Sequence, residues 1–478
     1  MELVPGGAVQ ERIGLEGFSL MGMLEAASSV PEGLEAAAAA LRVLNSGRKG
    51  AAAARCAVVV RSFDDDLHEV VRRSAPDIAH VGEDDRLPSG SRGWRRWISA
   101  VRSASAAVSE AYRVLFGEPE TVSSAELRLR AAARLSESIK WGLIDRQAPD
   151  GAQWADWATY RVSGGASEVG SEAMLRDDIE KEYLAALAFQ SAALDQLSLP
   201  GALTAVRLVR ACLPFMSISS RSVSGALYHV EGREAPVPVR MVERLGNHEG
   251  ECFCVSSMGL EFLDVCAARL SEGDVPSPLA GSDRRLAFDV VAHLRSLWSG
   301  DSRRRRDRRH HMDGIIEVAS GWGDSLALLS RASAEPSEQW HVLDVSRSGI
   351  RAAARIKRDG GVPEIGCLLC FRFVDGTARQ VGIVRRVQAT DASRTEIGIE
   401  TLSASPVHLL ADDGQQSIDV LLCGTLSRGE AVRVAGATRS LRIDVPLYVV
   451  QRGTVWKLRP MEFSMRGEGF ELRVYQVL

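Results

Sequence analysis

Residues 367–387 read Cys-Leu-Leu-Cys-Phe-Arg-Phe-Val-Asp-Gly-Thr-Ala-Arg-Gln-Val-Gly-Ile-Val-Arg-Arg-Val. In this stretch two largely apolar runs, Cys367–Val374 and Ala378–Val387, flank the dipeptide Asp375-Gly376. Asp-Gly favours a tight turn because both residues tolerate positive φ, and such a turn between two apolar runs is typical of a β-hairpin. The stretch therefore predicts two antiparallel strands.

Further strands are predicted around this hairpin, because apolar and polar residues continue to alternate there with a period of two. They are Gly314–Ala319, Trp340–Leu343, Ile350–Ile356 and Glu396–Leu402. Many short strands at this spacing favour a closed antiparallel barrel, in which no strand edge is left unpaired.

A β pattern continues beyond this barrel, from Ile418 to Leu478. Its predicted strands are Val420–Leu422, Glu430–Val434, Val445–Val450 and Gly469–Gln476. We expect this segment to form a small C-terminal β extension that packs on the barrel.

The first 215 residues follow a helical period instead. Predicted helices include Gly33–Asn45, Asp178–Leu197 and Ala202–Leu213. After short β-like runs, a helix is predicted at Ser282–Trp298, with Ser282 as its N-cap. The sequence thus predicts a multidomain α+β protein, with a helical domain over 1–215, an α+β connecting region over 216–300, the barrel over 301–410 and the extension over 411–478.

Composition limits the classes of function open to the chain. Its 478 residues carry a net charge of −4, which disfavours nucleic acid as a partner of the whole chain. Its eight cysteines are scattered, as is typical of reduced thiols in the cytosol. The sequence lacks a signal peptide pattern at its start and any apolar run long enough for a transmembrane segment, so it predicts a cytoplasmic protein.

Two polar segments flank the first predicted strands. The run Arg303–Arg309 contains six arginines and one aspartate, and the segment Asp344-Val-Ser-Arg-Ser-Gly349 lies between two predicted strands. Arginine can bond O6 and N7 of guanine and pair with phosphate oxygens, whereas a carboxylate can accept hydrogen bonds from the donor edge of guanine. A guanine nucleotide with phosphates is a ligand that matches both segments.

These two segments resemble the PilZ domain, whose signature is R-x-x-x-R followed by D/N-x-S-x-x-G. The first motif fits Arg304 with Arg308 or Arg305 with Arg309, and the second fits Asp344, Ser346 and Gly349. The downstream runs Gly366-Cys-Leu-Leu, Val381-Gly-Ile-Val-Arg-Arg and Ile397-Gly-Ile-Glu are also similar to strands of that family. The resemblance spans Asp301 to His408, and the wider layout looks like long proteobacterial PilZ proteins with a helical N-terminal region and a β tail.

The resemblance implies a six-stranded antiparallel barrel that binds the bacterial second messenger cyclic di-GMP and acts in signal transduction. The implied ligand-binding residues are Arg304, Arg305, Arg308, Arg309, Asp344, Ser346 and Gly349. The arginines would lie on a flexible arm that closes over the ligand. The helical N-terminal half would then dock an unidentified protein partner.

Other interpretations stay open at this point. The barrel could be a scaffold that has lost nucleotide binding, or the arginine run could be a basic arm for nucleic acid. Phosphate-loop, zinc-protease and nucleophile-elbow motifs do not occur in the sequence, so we expect a protein that is not an enzyme and needs no cofactor or metal. Cys367 and Cys370 are interpreted as buried thiols on opposite faces of a strand, which cannot share a metal.

Overall fold

The computed structural model describes residues 19–45, 51–81, 90–116, 124–161, 171–220, 226–231, 237–240, 250–299, 308–330, 338–355, 363–389, 394–467 and 469–478. These residues form two compact units. The helical unit contains the described residues up to Leu194 and from Leu199 to Ser299. The barrel unit contains Asp195–Ser198 and the described residues from Arg308 onward.

Ten α-helices lie in the described part of the helical unit. They are α1 (Leu20–Ala26), α2 (Val30–Asn45), α3 (Ala51–Val81), α4 (Gly90–Phe116), α5 (Ser124–Ile144), α6 (Gly151–Tyr160), α7 (Ser171–Ser191), α8 (Leu199–Cys212), α9 (Ser257–Ser271) and α10 (Arg284–Trp298). The predicted helical character of this half is thus confirmed. Among the described helices, none has both the length and the hydropathy that crossing a bilayer requires.

Local side-chain contacts explain where several of these helices begin. Asp150 and Gln153 form a capping box at the start of α6, in which the Asp150 carboxylate accepts from the backbone nitrogen of Gln153 at 2.8 Å. Helix α10 is capped by Asp283, which accepts from the backbone nitrogens of Arg285 and Leu286. The prediction of Ser282 as this cap was therefore wrong by one residue, since a carboxylate can bond both orphan amides at once.

The helical unit also contains a four-stranded antiparallel sheet with the order β1-β4-β2-β3. Its strands are β1 (Met216–Ser219), β2 (Ala226–Glu231), β3 (Val237–Arg240) and β4 (Glu251–Val255).

The predicted barrel closes in the order β10-β7-β6-β5-β8-β9, with β9 and β10 also paired. Its strands are β5 (His310–Ser320), β6 (Glu338–Ser346), β7 (Gly349–Arg355), β8 (Leu368–Phe373), β9 (Gln380–Ala389) and β10 (Arg394–Ser403). Every second side chain of a strand points into the barrel, and Ile350, Ala352 and Ala354 of β7 are all buried in its interior. All six predicted strands are confirmed.

The hairpin predicted at Asp375-Gly376 is confirmed, but its turn is not the tight one expected. Strands β8 and β9 pair antiparallel, and six residues, 374–379, connect them. The Gly376 backbone nitrogen donates to the Phe373 carbonyl at 2.9 Å, and Gly376 is not among the glycines with positive φ. A longer connection removes the need for a left-handed residue.

The predicted C-terminal extension is instead a second closed six-stranded barrel, so that part of the fold prediction was wrong. The order of its strands is β11-β12-β13-β16-β15-β14, and β11 pairs with β14 to close it. They are β11 (Val407–Asp412), β12 (Ser417–Leu422), β13 (Ala431–Ala437), β14 (Leu447–Gln451), β15 (Thr454–Arg466) and β16 (Phe470–Val477). This barrel has its own buried core, which includes Val420, Val434 and Tyr475.

A third apolar cluster joins the two barrels. The first barrel contributes Leu368, Cys370 and Ile383, and the second contributes Leu421 and Phe470. A short helix between β5 and β6, α11 (Trp322–Ser330), packs against the same cluster. The two barrels therefore share a continuous apolar interface.

Strand β8 is buried on both faces because of this interface. Leu369 and Phe371 point into the first barrel, whereas Leu368 and Cys370 face the cluster between the barrels. The expected opposite orientation of the two thiols is confirmed, since Cys367 belongs to the barrel core and Cys370 to the cluster.

We expect Leu421→Ala to destabilise the barrel unit, because Leu421 is fully buried in the interface between the barrels. We expect the barrel unit to lose about 2–5 kcal/mol of unfolding free energy, from lost burial and the cavity left behind. Differential scanning calorimetry of the full chain measures the loss. Leu410→Ala is the matched control, since Leu410 lies on the neighbouring strand and is 64% exposed. A comparable loss in both variants would contradict the interface.

Candidate ligand-binding site

The segment Asp344–Gly349 forms a β-hairpin turn between β6 and β7. Ser346 pairs with Gly349 and Asp344 pairs with Arg351 across the hairpin, so that Arg347 and Ser348 make the turn. The Ser346 hydroxyl donates to the Gly349 carbonyl at 3.2 Å. Ser346 therefore stabilises the turn.

Gly349 lies at a close approach of β7 to β10. A Cβ atom at this position would be 2.2 Å from the backbone carbonyl oxygen of Ile399. Real Cβ atoms do not come so close to a carbonyl oxygen, so only glycine fits without movement of one strand. The glycine of the motif thus has a structural role in the barrel wall.

Asp344 is the most buried charged residue of the motif, at 8% exposure. One of its carboxylate oxygens accepts from Nη1 of Arg309 at 2.8 Å, and the other accepts from Nε of Arg351 at 2.7 Å. Arg351 also donates through Nη1 to Glu396 on β10 at 3.1 Å. Four alternating charges therefore lie in a row on the outer face of the first barrel.

The arginines of this row remain open to solvent. The side chains of Arg309 and Arg351 are 38% and 41% exposed, so water screens both ion pairs with Asp344. Asp344 itself is nearly buried, so an arginine can leave it without a large cost only where another donor takes its place. A ligand that displaces either arginine must therefore donate its own hydrogen bonds to Asp344.

Strand irregularities on both sides of Asp344 help to position it. The pairing of β5 with β6 shifts register between His311 and Gly314, and the pairing of β6 with β7 shifts between Val342 and Asp344. Bulges of this type redirect side chains and are frequent beside functional sites. They place Asp344 next to the segment that leads from the arginine run into β5.

The predicted site residues are only partly brought together. Arg309, Asp344, Ser346 and Gly349 lie around the β6–β7 hairpin, and Arg308 is exposed beside Arg309. In the described part of the arginine run, Arg309 and not Arg308 contacts Asp344. Arg304 and Arg305 lie outside the described residues.

Two residues of the charged row, Arg351 and Glu396, were missed by the sequence interpretation. The hairpin itself could have indicated Arg351: pairing outward from the turn joins Ser346 to Gly349 and, two residues further, Asp344 to Arg351. Residues two apart on a strand share a face, so this pairing predicts their contact. Glu396 depends on the pairing of β7 with β10, for which the local sequence carries no signal.

No protein-family model matches this chain, and a search of curated proteins finds no match either. Over the described residues, no group of three or more His, Cys, Asp or Glu side chains has the arrangement of a metal site.

The close approach at Gly349 predicts that Gly349→Ala destabilises the first barrel by about 1–3 kcal/mol, the usual effect of overpacking. Hydrogen exchange followed by mass spectrometry should show faster exchange in β7 and β10. Gly314→Ala is the control, since the nearest atom to a Cβ there is the Met312 methyl carbon at 3.7 Å. Equal protection in wild type and Gly349→Ala would contradict the steric role.

Proposed function

We propose that this chain is a receptor for cyclic di-GMP, which binds on the outer face of the first barrel over the β6–β7 hairpin. The observation that carries the proposal is the contact between Arg309, from the arginine run, and the nearly buried carboxylate of Asp344. Two segments separated by 35 residues in sequence meet there. Both have the residue types that guanine and phosphate require.

The charged row supplies complementary groups for the base. The carboxylate of Asp344 can accept from the N1 and N2 donors of guanine, and the guanidinium of Arg309 or Arg351 can donate to O6 and N7. A guanidinium can also stack on the base, since its face is planar and weakly hydrated.

Phosphate binding would use the arginines that precede β5. Arg308 is exposed, and the side chain of Arg309, which pairs with Asp344, is 38% exposed. When the donor edge of guanine replaces Arg309 on Asp344, Arg309 becomes available for a bidentate bond with a phosphate. Asp344 then keeps a hydrogen-bond donor throughout the exchange, so its buried charge is not left unpaired.

The role of the receptor would be to couple the messenger to a protein partner. The residues of the charged row hold no arrangement of nucleophile and base, so we infer that the chain acts by binding and not by catalysis. The helical unit is then the candidate surface for the partner.

A second candidate function is a scaffold whose barrel does not bind nucleotide. A specific observation favours it: Ser346, Gly349 and Asp344 each have a structural role, in the turn, the close approach to β10 and the ion pairs. A scaffold would keep these residues for stability alone. Direct binding measurements separate the two functions.

Isothermal titration calorimetry of the full chain with cyclic di-GMP tests the receptor proposal. We expect binding in the micromolar range or tighter. Affinity should be at least tenfold weaker in Arg309→Ala, which removes a donor to guanine or phosphate, and in Asp344→Asn, which removes the carboxylate that accepts from guanine. Cyclic di-AMP should bind more weakly at the same salt concentration, since adenine presents a different donor and acceptor pattern.

Arg372→Ala is the matched control, because Arg372 belongs to the same barrel and pairs with Glu317 on the neighbouring strand at 2.6 Å. Its affinity should stay within twofold of wild type. An absence of heat at saturating cyclic di-GMP, with no thermal shift, would rule out the receptor and leave the scaffold. Equal affinity for any polyanion with a steep salt dependence would indicate a basic arm for nucleic acid.

A further inference from the structure

The helical unit contains a cavity of about 500 Å³, which lies between α3, α5, α8 and the segment that leads into α10. All of its lining residues belong to this unit, so it is separate from the charged row on the first barrel. Its volume is within the range of about 300–1,000 Å³ that small-molecule sites occupy.

The lining of the cavity combines an apolar wall with many cations. The apolar wall includes Trp141 and Ile144 of α5, Leu203 of α8 and Leu286 of α10. The cationic side chains are Arg72, Arg134, Lys140, Arg207 and Arg210, and the acidic ones are Glu137 and Asp283. Arg72 and Arg134 also pair with Glu69 and Asp64 of α3, which do not line the cavity, so Lys140, Arg207 and Arg210 remain against Glu137 and Asp283.

Glu137 is shared between two of these cations. Its carboxylate accepts from Nη2 of Arg210 at 2.8 Å and also contacts the ammonium group of Lys140, which is buried. Burial disfavours the charged form of Glu137, but the attraction of Lys140 and Arg210 outweighs it and lowers the pKa of Glu137 to about 2. One ionised carboxylate beside two cations leaves an excess of positive charge.

Asp283 adds a second carboxylate to this surface, and its Oδ1 oxygen is engaged by the start of α10. It accepts from the backbone nitrogens of Arg285 at 2.9 Å and of Leu286 at 3.0 Å. These contacts satisfy the orphan amides of the helix and the positive end of its dipole.

Arg207 is the cation whose partners, within the described chain, are neutral oxygens. It donates through Nη1 to the Ala280 carbonyl at 2.6 Å and through Nη2 to the Ser282 hydroxyl. Ser282 is in turn 2.9 Å from the Thr204 hydroxyl. These bonds hold the guanidinium in place, and it retains N–H donors for an anion.

We propose that this cavity binds a small amphipathic organic anion, with its acid group against Arg207 and Arg210 and its apolar body against Trp141, Ile144 and Leu203. Arg207 and Arg210 are three residues apart on α8, so they share a face of the helix and can hold one acid group between them. The ligand would offset the excess of positive charge and cover the apolar wall. Carboxylates and phosphate esters share this chemistry.

The probe 8-anilinonaphthalene-1-sulfonate, an aromatic sulfonate that fluoresces more strongly out of water, tests the site in the full chain. We expect one saturable site, with at least tenfold weaker binding in Arg207→Gln. Arg269→Gln is the matched control, because Arg269 lies in the same unit, pairs with Asp274 and does not line the cavity. Its affinity should remain within twofold of wild type.

Leu203→Trp is a second variant, which fills the apolar part of the cavity and leaves all five cations in place. It should abolish probe binding, while circular dichroism shows an unchanged helical content. Octanoate should displace the probe, whereas octylamine, which has the same chain length and the opposite charge, should not. Comparison of octanoate with phenyl phosphate identifies which acid group the site prefers.

Several results would overturn the proposal: no saturable binding to the folded chain, equal displacement by octylamine and octanoate, or undiminished binding in both Arg207→Gln and Leu203→Trp. Asp344→Asn should leave probe binding unchanged, because Asp344 belongs to the barrel unit. The outcome is therefore independent of whether the first barrel binds cyclic di-GMP.

Discussion

Apolar contact between the two barrels is the constraint on which the barrel unit depends. Strand β8 forms part of the wall of the first barrel and at the same time covers the second, so its residues are buried on both faces. A six-stranded barrel of this size has a small core, and the shared cluster extends that core across two domains. The charged row lies on the outer face of the first barrel, whose strands are packed against its buried core.

The sequence allowed the first barrel to be predicted because several of its strands alternate, and the apolar runs of β8 and β9 flank the turn signal Asp375-Gly376. The second barrel was missed because two of its strands give weak signals. Strand β11 contains Leu409-Leu410 in place of strict alternation, and β15 contains Pro460, a residue that usually argues against a strand interior. Pro460 is tolerated because the pairing of β15 with β16 is irregular from there to Ser464. Without β11 and β15, the other four strands cannot close.

The two candidate sites differ in how far sequence can indicate them. The motif residues around the β6–β7 hairpin are local in sequence, and the hairpin register brings Arg351 to Asp344. The cavity of the helical unit depends on four helices whose contacts are distant along the chain. The spacing of its arginines in the sequence is the same as on a helix face that is exposed to solvent. Only the packing of the helices shows that these arginines line one cavity.

The positions of Cys367 and Cys370 have a consequence for following the motions of the barrel unit. Both thiols are buried, but one is enclosed within the first barrel and the other between the barrels. Burial raises the pKa of Cys370 to about 12, so its reactive thiolate is scarce while the barrels stay together. Alkylation of Cys370 therefore reports separation of the barrels, and alkylation of Cys367 reports opening of the first barrel itself. Two neighbouring cysteines thus act as intrinsic chemical probes of two different unfolding events.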